Sequence, residues 1–104
     1  MPVLHPETLA DLITYINNYQ YCIVDFYANW CGPCKKLGLY LDDTDYNVIK
    51  VDVDNENFSE YCNMYNVSSI PHLLYYSNNK VICESLGFNI KEIDDKYKSL
   101  KNYS

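Results

Sequence analysis

The stretch Tyr21-Cys22-Ile23-Val24-Asp25-Phe26-Tyr27 runs straight into Ala28-Asn29-Trp30-Cys31-Gly32-Pro33-Cys34. No other feature of the chain restricts its fold so strongly. A nearly continuous apolar run broken by one carboxylate reads as a buried central strand, covered on both faces. Lys35 through Leu41 has a helical pattern. Proline lacks a backbone donor and clashes with the preceding turn, so Pro33 is tolerated only in the first turn of that helix. The two cysteines are therefore placed at a helix N-terminus, directly after a buried strand.

The rest of the chain alternates helix and strand, which points to an α/β domain. Leu9, Leu12, Ile13 and Ile16 have the spacing of one helical face, starting after Pro6-Glu7 and ending at Asn17-Asn18. Asn47 to Val53 reads as a second strand. Phe58, Tyr61, Cys62 and Tyr65 are helically spaced, with Asn55-Glu56-Asn57 as a cap. Ser68 to Pro71 is a loop. Leu73–Tyr76 and Val81–Leu86 are strands joined by Ser77-Asn78-Asn79-Lys80, a tight hairpin turn. Asn89 caps a last helix that buries Ile90, Ile93, Tyr97 and Leu100. A short strand at Val3-Leu4 can precede the first helix. The expected result is one domain, residues 1–104, with a central mixed sheet of four to five strands flanked by about four helices.

Composition removes several function classes. The 104 residues carry eight lysines, no arginine and a net charge of −6, which argues against a nucleic-acid partner or an arginine phosphate clamp. No apolar run reaches membrane-spanning length. Met1-Pro2-Val3-Leu4-His5-Pro6 lacks the basic and apolar regions of a secretory signal, so a cytoplasmic location is expected. Five cysteines, an odd number, do not make a fully paired framework. One close pair in a reducing compartment fits better, with Cys22 and Cys83 as small apolar strand residues and Cys62 partly exposed on a helix.

Two thiols separated by two residues at a helix start can close a small disulfide ring. Unpaired N–H groups there stabilise a thiolate on Cys31 and make it the attacking group. Cys34, a turn deeper, resolves the mixed disulfide. Two alternatives stay open on these residues. One is a metal or iron–sulfur site at Cys31 and Cys34 with His72 as a third ligand, although zinc wants four. The other is an inert pair. Trp30 before the pair and Gly32-Pro33 within it favour redox exchange.

Asp25-Phe26-Tyr27-Ala28-Asn29-Trp30-Cys31-Gly32-Pro33-Cys34-Lys35 closely resembles the active-site segment of the thioredoxin family, and the likeness extends over essentially the whole chain. Ile70-Pro71 falls where that family carries a cis-proline opposite the cysteines, Gly87 where it has a glycine after the hairpin, and Lys50 where it has a lysine. The resemblance implies the thioredoxin fold, with Cys31 as nucleophile, Cys34 as resolving thiol and Asp25 as the buried carboxylate that assists proton transfer at Cys34. A carboxylate inside a buried strand is held protonated to higher pH and can act as a base near neutrality. The resemblance further implies Lys50 as a partner of Asp25, though a plain solvated lysine is the alternative. Trp30, Gly32, Pro33, Ile70 and Pro71 would form the substrate groove, with Ile70 offering backbone bonds to an extended strand; simple core packing is the alternative for Trp30.

The function so implied is reduction of protein disulfides by dithiol exchange, serving electron transport and cell redox homeostasis. It needs no bound cofactor or metal. Partners would be disulfide-containing proteins and a thioredoxin-reductase-like donor, with no nucleic acid, no membrane and a monomeric state. The competing function is a binding module that uses the Trp30 and Pro71 groove without redox turnover. Four departures from the family pattern stand out. His72 replaces a usual threonine and is either a tuning group near the cysteines or an ordinary surface histidine. Tyr27 replaces an aromatic that is often tryptophan, a change expected to matter little. Leu39 stands at a usual kinking proline. The stretch from Cys34 to Lys50 is shorter by roughly one to two helical turns, and Asp42, Asp43 and Asp45 there read as a solvated helix end.

Overall fold

The structure, a computed structural model, describes residues 3–103; Met1 and Pro2, which begin the N-terminal stretch considered above, and Ser104 lie outside the described residues. The apolar run becomes strand β2 (Tyr21–Tyr27) and the Pro33 segment becomes helix α2 (Gly32–Asp42). Around them lie β1 (Val3–Leu4), α1 (Leu9–Asn18), β3 (Val48–Asp52), α3 (Ser59–Met64), β4 (His72–Ser77), β5 (Lys80–Leu86) and α4 (Ile90–Ser99). Two 3-10 turns, Glu56–Phe58 and Leu100–Tyr103, extend α3 and α4.

The five strands form one mixed sheet in the order β1-β3-β2-β4-β5. β3 runs parallel to β1 and β2, while β4 runs antiparallel to β2 and β5. Side chains alternate across β2. Cys22, Val24 and Phe26 join Leu12 and Ile16 of α1 and Phe58 and Tyr61 near α3. Ile23 joins Leu37 and Leu41 of α2 and Ile93 of α4. Both faces of β2 are thus covered, which is why its sequence is continuously apolar. Each of these large apolar side chains contributes roughly 1.5–3 kcal/mol by leaving water.

The short-range signals act as their chemistry suggests. Thr8, Asn55 and Asn89 accept backbone bonds from Asp11, Asn57 and Glu92, at 3.1, 3.0 and 3.1 Å. Asn78 and Asn79 both take positive φ, 51° and 69°, as a hairpin turn matched to strand twist requires. Some expected faces are narrower. Leu9, Ile13 and Ile90 remain exposed while Leu12, Ile16 and Ile93 are buried. The Phe58–Tyr65 spacing resolves into a 3-10 turn and one short helix. Strand β4 starts at His72, one residue before the expected Leu73.

Candidate active site

Cys31 is the N-cap of α2. Its sulfur accepts a bond from the backbone N–H of Cys34 at 3.2 Å, and its carbonyl accepts one from Lys35 at 3.2 Å. Pro33 lies in the first turn, where its missing donor costs nothing. Cys31 and Cys34 are joined by a disulfide, with Cα atoms 5.2 Å apart. They are 5 % and 2 % exposed and pack with Ala28, Tyr27, Val53 and Ile70. Gly32 and Pro33 are exposed, and nothing lies within 4 Å of where a Gly32 Cβ would stand. The ring is therefore open to an approaching partner on the Gly-Pro side.

The loop before β4 comes up to this ring. The carbonyl oxygen of Ile70 lies 3.9 Å from the Cys31 sulfur, and the Ile70–Pro71 bond is cis. The Pro71 carbonyl accepts the Gly87 N–H at 2.8 Å, and Gly87 has φ +80°, a conformation that costs glycine little. Trp30 is 71 % exposed and donates its indole N–H to Asp54 at 3.0 Å. The core-packing alternative for Trp30 is thus overturned: its ring is a wall at the surface, fixed at its polar end.

Asp25 lies beneath. It is fully buried, it sits beside Lys50 and Leu73 in the sheet register, and it faces the α2 side with Ile23 and Tyr27. Neither carboxyl oxygen has a hydrogen-bond partner among the described residues. Burial pushes the Asp25 carboxyl up to about 7, and the Lys50 charge partly offsets that. Lys50 is half-buried, with its ammonium 4.4 Å from the centre of the Tyr27 ring. It is not a plain solvated lysine.

His72 departs from the surface expectation. It is 4 % exposed, so it is no surface histidine. Residues 72, 74 and 76 point to the α1–α3 side, where His72 packs edge-on against Phe26 and where Leu74 and Tyr76 join the core. Asp25 faces the other side of the sheet. Nε2 of His72 is 2.6 Å from Glu84, and Nδ1 is buried without a hydrogen-bond partner among the described residues. The register, with His72 opposite Phe26 and Leu86 and Leu74 opposite Glu84, puts the imidazole on the face that Glu84 shares. Among the described residues no three His, Cys, Asp or Glu side chains are gathered to hold a metal, so the third-ligand alternative for His72 has no geometric support.

The family model for thioredoxin matches residues 4–99. The chain belongs to the thioredoxin family. It is 37% identical to thioredoxin of Mycoplasmoides gallisepticum, over 81% of this chain and 87% of that protein. It superposes on the oxidised thioredoxin of Plasmodium falciparum with a TM-score of 0.76 at 32% identity, covering 91% of this chain and 97% of that one. A reduced Schistosoma mansoni thioredoxin pre-protein gives a TM-score of 0.80 at 27% identity, with 96% and 99% covered. This thioredoxin-family chain is accordingly a dithiol–disulfide oxidoreductase of the protein-disulfide reductase type. No described helix is long and apolar enough to cross a membrane.

Three residues at the site carry no signal in a single sequence. Asp54 partners Trp30 across 24 positions, and Glu84 partners His72 across 12. Gly38 of α2 faces the Lys50 ammonium, which a Cβ there would meet at 3.3 Å. Only the tertiary fold brings each pair together.

Proposed function

We propose that the protein reduces disulfides of other proteins, with Cys31 as nucleophile, Cys34 as resolving thiol and Asp25 as the proton acceptor for Cys34. The Cys31 thiolate attacks one sulfur of a substrate disulfide. A Cys31–substrate bond forms, the substrate S–S bond breaks, and its electron pair leaves on the other substrate sulfur, which takes a proton. Cys34 then passes its proton to Asp25 and attacks Cys31. The internal disulfide forms, and the second substrate thiol departs. Two electrons have moved from the protein to the substrate, and a thioredoxin-reductase-like donor returns them. The observation that carries this reading is the Cys31 sulfur at the start of α2, with a buried, unpartnered carboxyl on the same side of the sheet.

Trp30, Gly32, Pro33, Ile70 and Pro71 form the groove in this proposal. Ile70 offers backbone bonds to an extended substrate strand. The chain acts as one domain and as a monomer in the cytoplasm, within electron transport and redox homeostasis, without nucleic acid or membrane. Turbidimetric reduction of insulin by dithiothreitol tests it. Wild type is expected to accelerate precipitation, Cys31→Ser to abolish the effect. A wild-type rate equal to buffer contradicts the proposal. Full biological function with both cysteines replaced by serine would instead make the groove a binding module.

A further inference from the structure

Among the described residues, Lys50 is the only cation in the set of groups that faces Asp25. Lys50 and Asp52 come from β3, opposite Asp25 and Tyr27 in the parallel register. Tyr27 of β2 and Tyr75 of β4 are close enough for the Asp25 charge to act on their phenols, and Cys34 of α2 packs with Tyr27. From α4 the apolar Ile93 enters, with Glu92 close enough to act on the Tyr75 phenol. Whatever fixes the Lys50 ammonium therefore fixes the one favourable charge available to an ionised Asp25.

A lysine ammonium is a compact charge on a flexible four-carbon stem, and holding it still costs conformational entropy. Two features hold it here. The Tyr27 ring presents its face to Nζ at 4.4 Å, within the range where the ring quadrupole attracts a cation. Gly38 leaves the space above, because a Cβ at that position would stand 3.3 Å from Nζ. Tyr27 is half-buried, so water screens the contact less than at an open surface.

We propose that Tyr27 is a positioning residue for the reaction: its ring face seats the Lys50 ammonium beside Asp25, and so sets how readily Asp25 accepts the Cys34 proton. The tyrosine-for-tryptophan exchange, unremarkable in the sequence, then has a consequence for the resolving step. In that step Cys34 loses a proton to the Asp25 carboxylate, the Cys34 sulfur bonds to Cys31, and the bond from Cys31 to substrate breaks with its electron pair on the substrate sulfur. With Lys50 unseated, the Asp25 carboxylate loses its stabilising charge and takes up its proton at higher pH. The inference rests on Asp25 being the proton acceptor.

The test is a carbon-13 titration of the Asp25 carboxyl in the oxidised protein, where Cys31 and Cys34 do not titrate. Tyr27→Leu is expected to raise the midpoint by about half a pH unit, a roughly threefold change in ionisation constant. Tyr27→Phe, which keeps the ring face, is expected to hold the wild-type midpoint. Lys50→Met should raise it further, and adding Tyr27→Leu to Lys50→Met should change nothing more. An unchanged midpoint in Tyr27→Leu overturns the inference, as does an equal shift in Tyr27→Phe or a further shift in the double variant. The pH profile of insulin reduction by Asp25→Asn separates the two claims. A profile identical to wild type removes Asp25 as acceptor and with it any part of Tyr27 in the reaction. A changed profile with an unmoved Tyr27→Leu titration removes only the role of Tyr27.

Discussion

In the proposed mechanism, Asp25 is the residue on which chemistry and stability pull in opposite directions. A carboxyl sealed in a sheet without hydrogen-bond partners among the described residues resists ionisation. Its native value near 7, against an ordinary 3.8, means that the folded state binds its proton more tightly than the unfolded chain. Its contribution to stability is therefore full below about pH 4 and is lost as pH rises through about 7. The stability of the Asp25→Asn variant relative to wild type should therefore rise by about 4 kcal/mol between pH 4 and pH 8. Urea denaturation of the oxidised protein at pH 5 and pH 8 measures this. A difference between wild type and Asp25→Asn that is equal at both pH values contradicts it. The location of Asp25 was legible in the chain because one carboxylate interrupts an apolar run. His72 was not legible in the same way. A lone histidine beside a proline carries no information about its face, and that face is set by the pairing of His72 with Phe26 and Leu86.

At the scale of elements, α2 was legible and its far end was not. Pro33 marks where the helix starts, and Cys31 caps it. The helix then runs uninterrupted past Leu39, which is exposed where the family pattern has a proline. The shortened exit is closed by a cluster the spacing does not announce. The hydroxyls of Tyr40 and Tyr46 donate to Asp94 of α4, each at 2.7 Å, and Tyr46 stacks on Tyr97 at 4.1 Å. The Tyr97 hydroxyl in turn accepts the Asn47 N–H at 3.1 Å. These partners lie about fifty positions apart in the chain, so only the tertiary fold reveals them. Burial works to raise the Asp94 carboxyl, but the two tyrosine bonds and the Lys98 charge overcome it and hold it below its ordinary value. The stabilisation is therefore present above the ordinary carboxylate range and lost as pH falls through the lowered native value. Asp94→Ala should cost about 1 kcal/mol at pH 7, allowing for solvent screening of a half-exposed carboxylate. The loss should shrink toward pH 3 in the same denaturation experiment. A loss that does not depend on pH would mean that the tyrosines are held by packing alone.

Across the whole molecule, the sheet order β1-β3-β2-β4-β5 sets the end of β2 and the loop before β4 side by side. The ring at the start of α2 and the Ile70 carbonyl meet there. The five cysteines are sorted by the same architecture. Cys22 is sealed in the core, with burial pushing its thiol up to about 12. Cys62 and Cys83 are half-buried, and burial raises both of their thiols, so neither is primed as a thiolate. Only Cys31 stands at a helix start, beside open space at Gly32. The central claim is that Cys31 alone attacks and Cys34 alone resolves, and trapping tests it most directly. Reduced Cys34→Ser protein is incubated with a disulfide-bonded protein substrate, and the adduct is located by peptide mass spectrometry. The account predicts one stable mixed disulfide, on Cys31, that is absent when Cys31 is also replaced. An adduct on Cys22, Cys62 or Cys83, or no adduct at all, would contradict it.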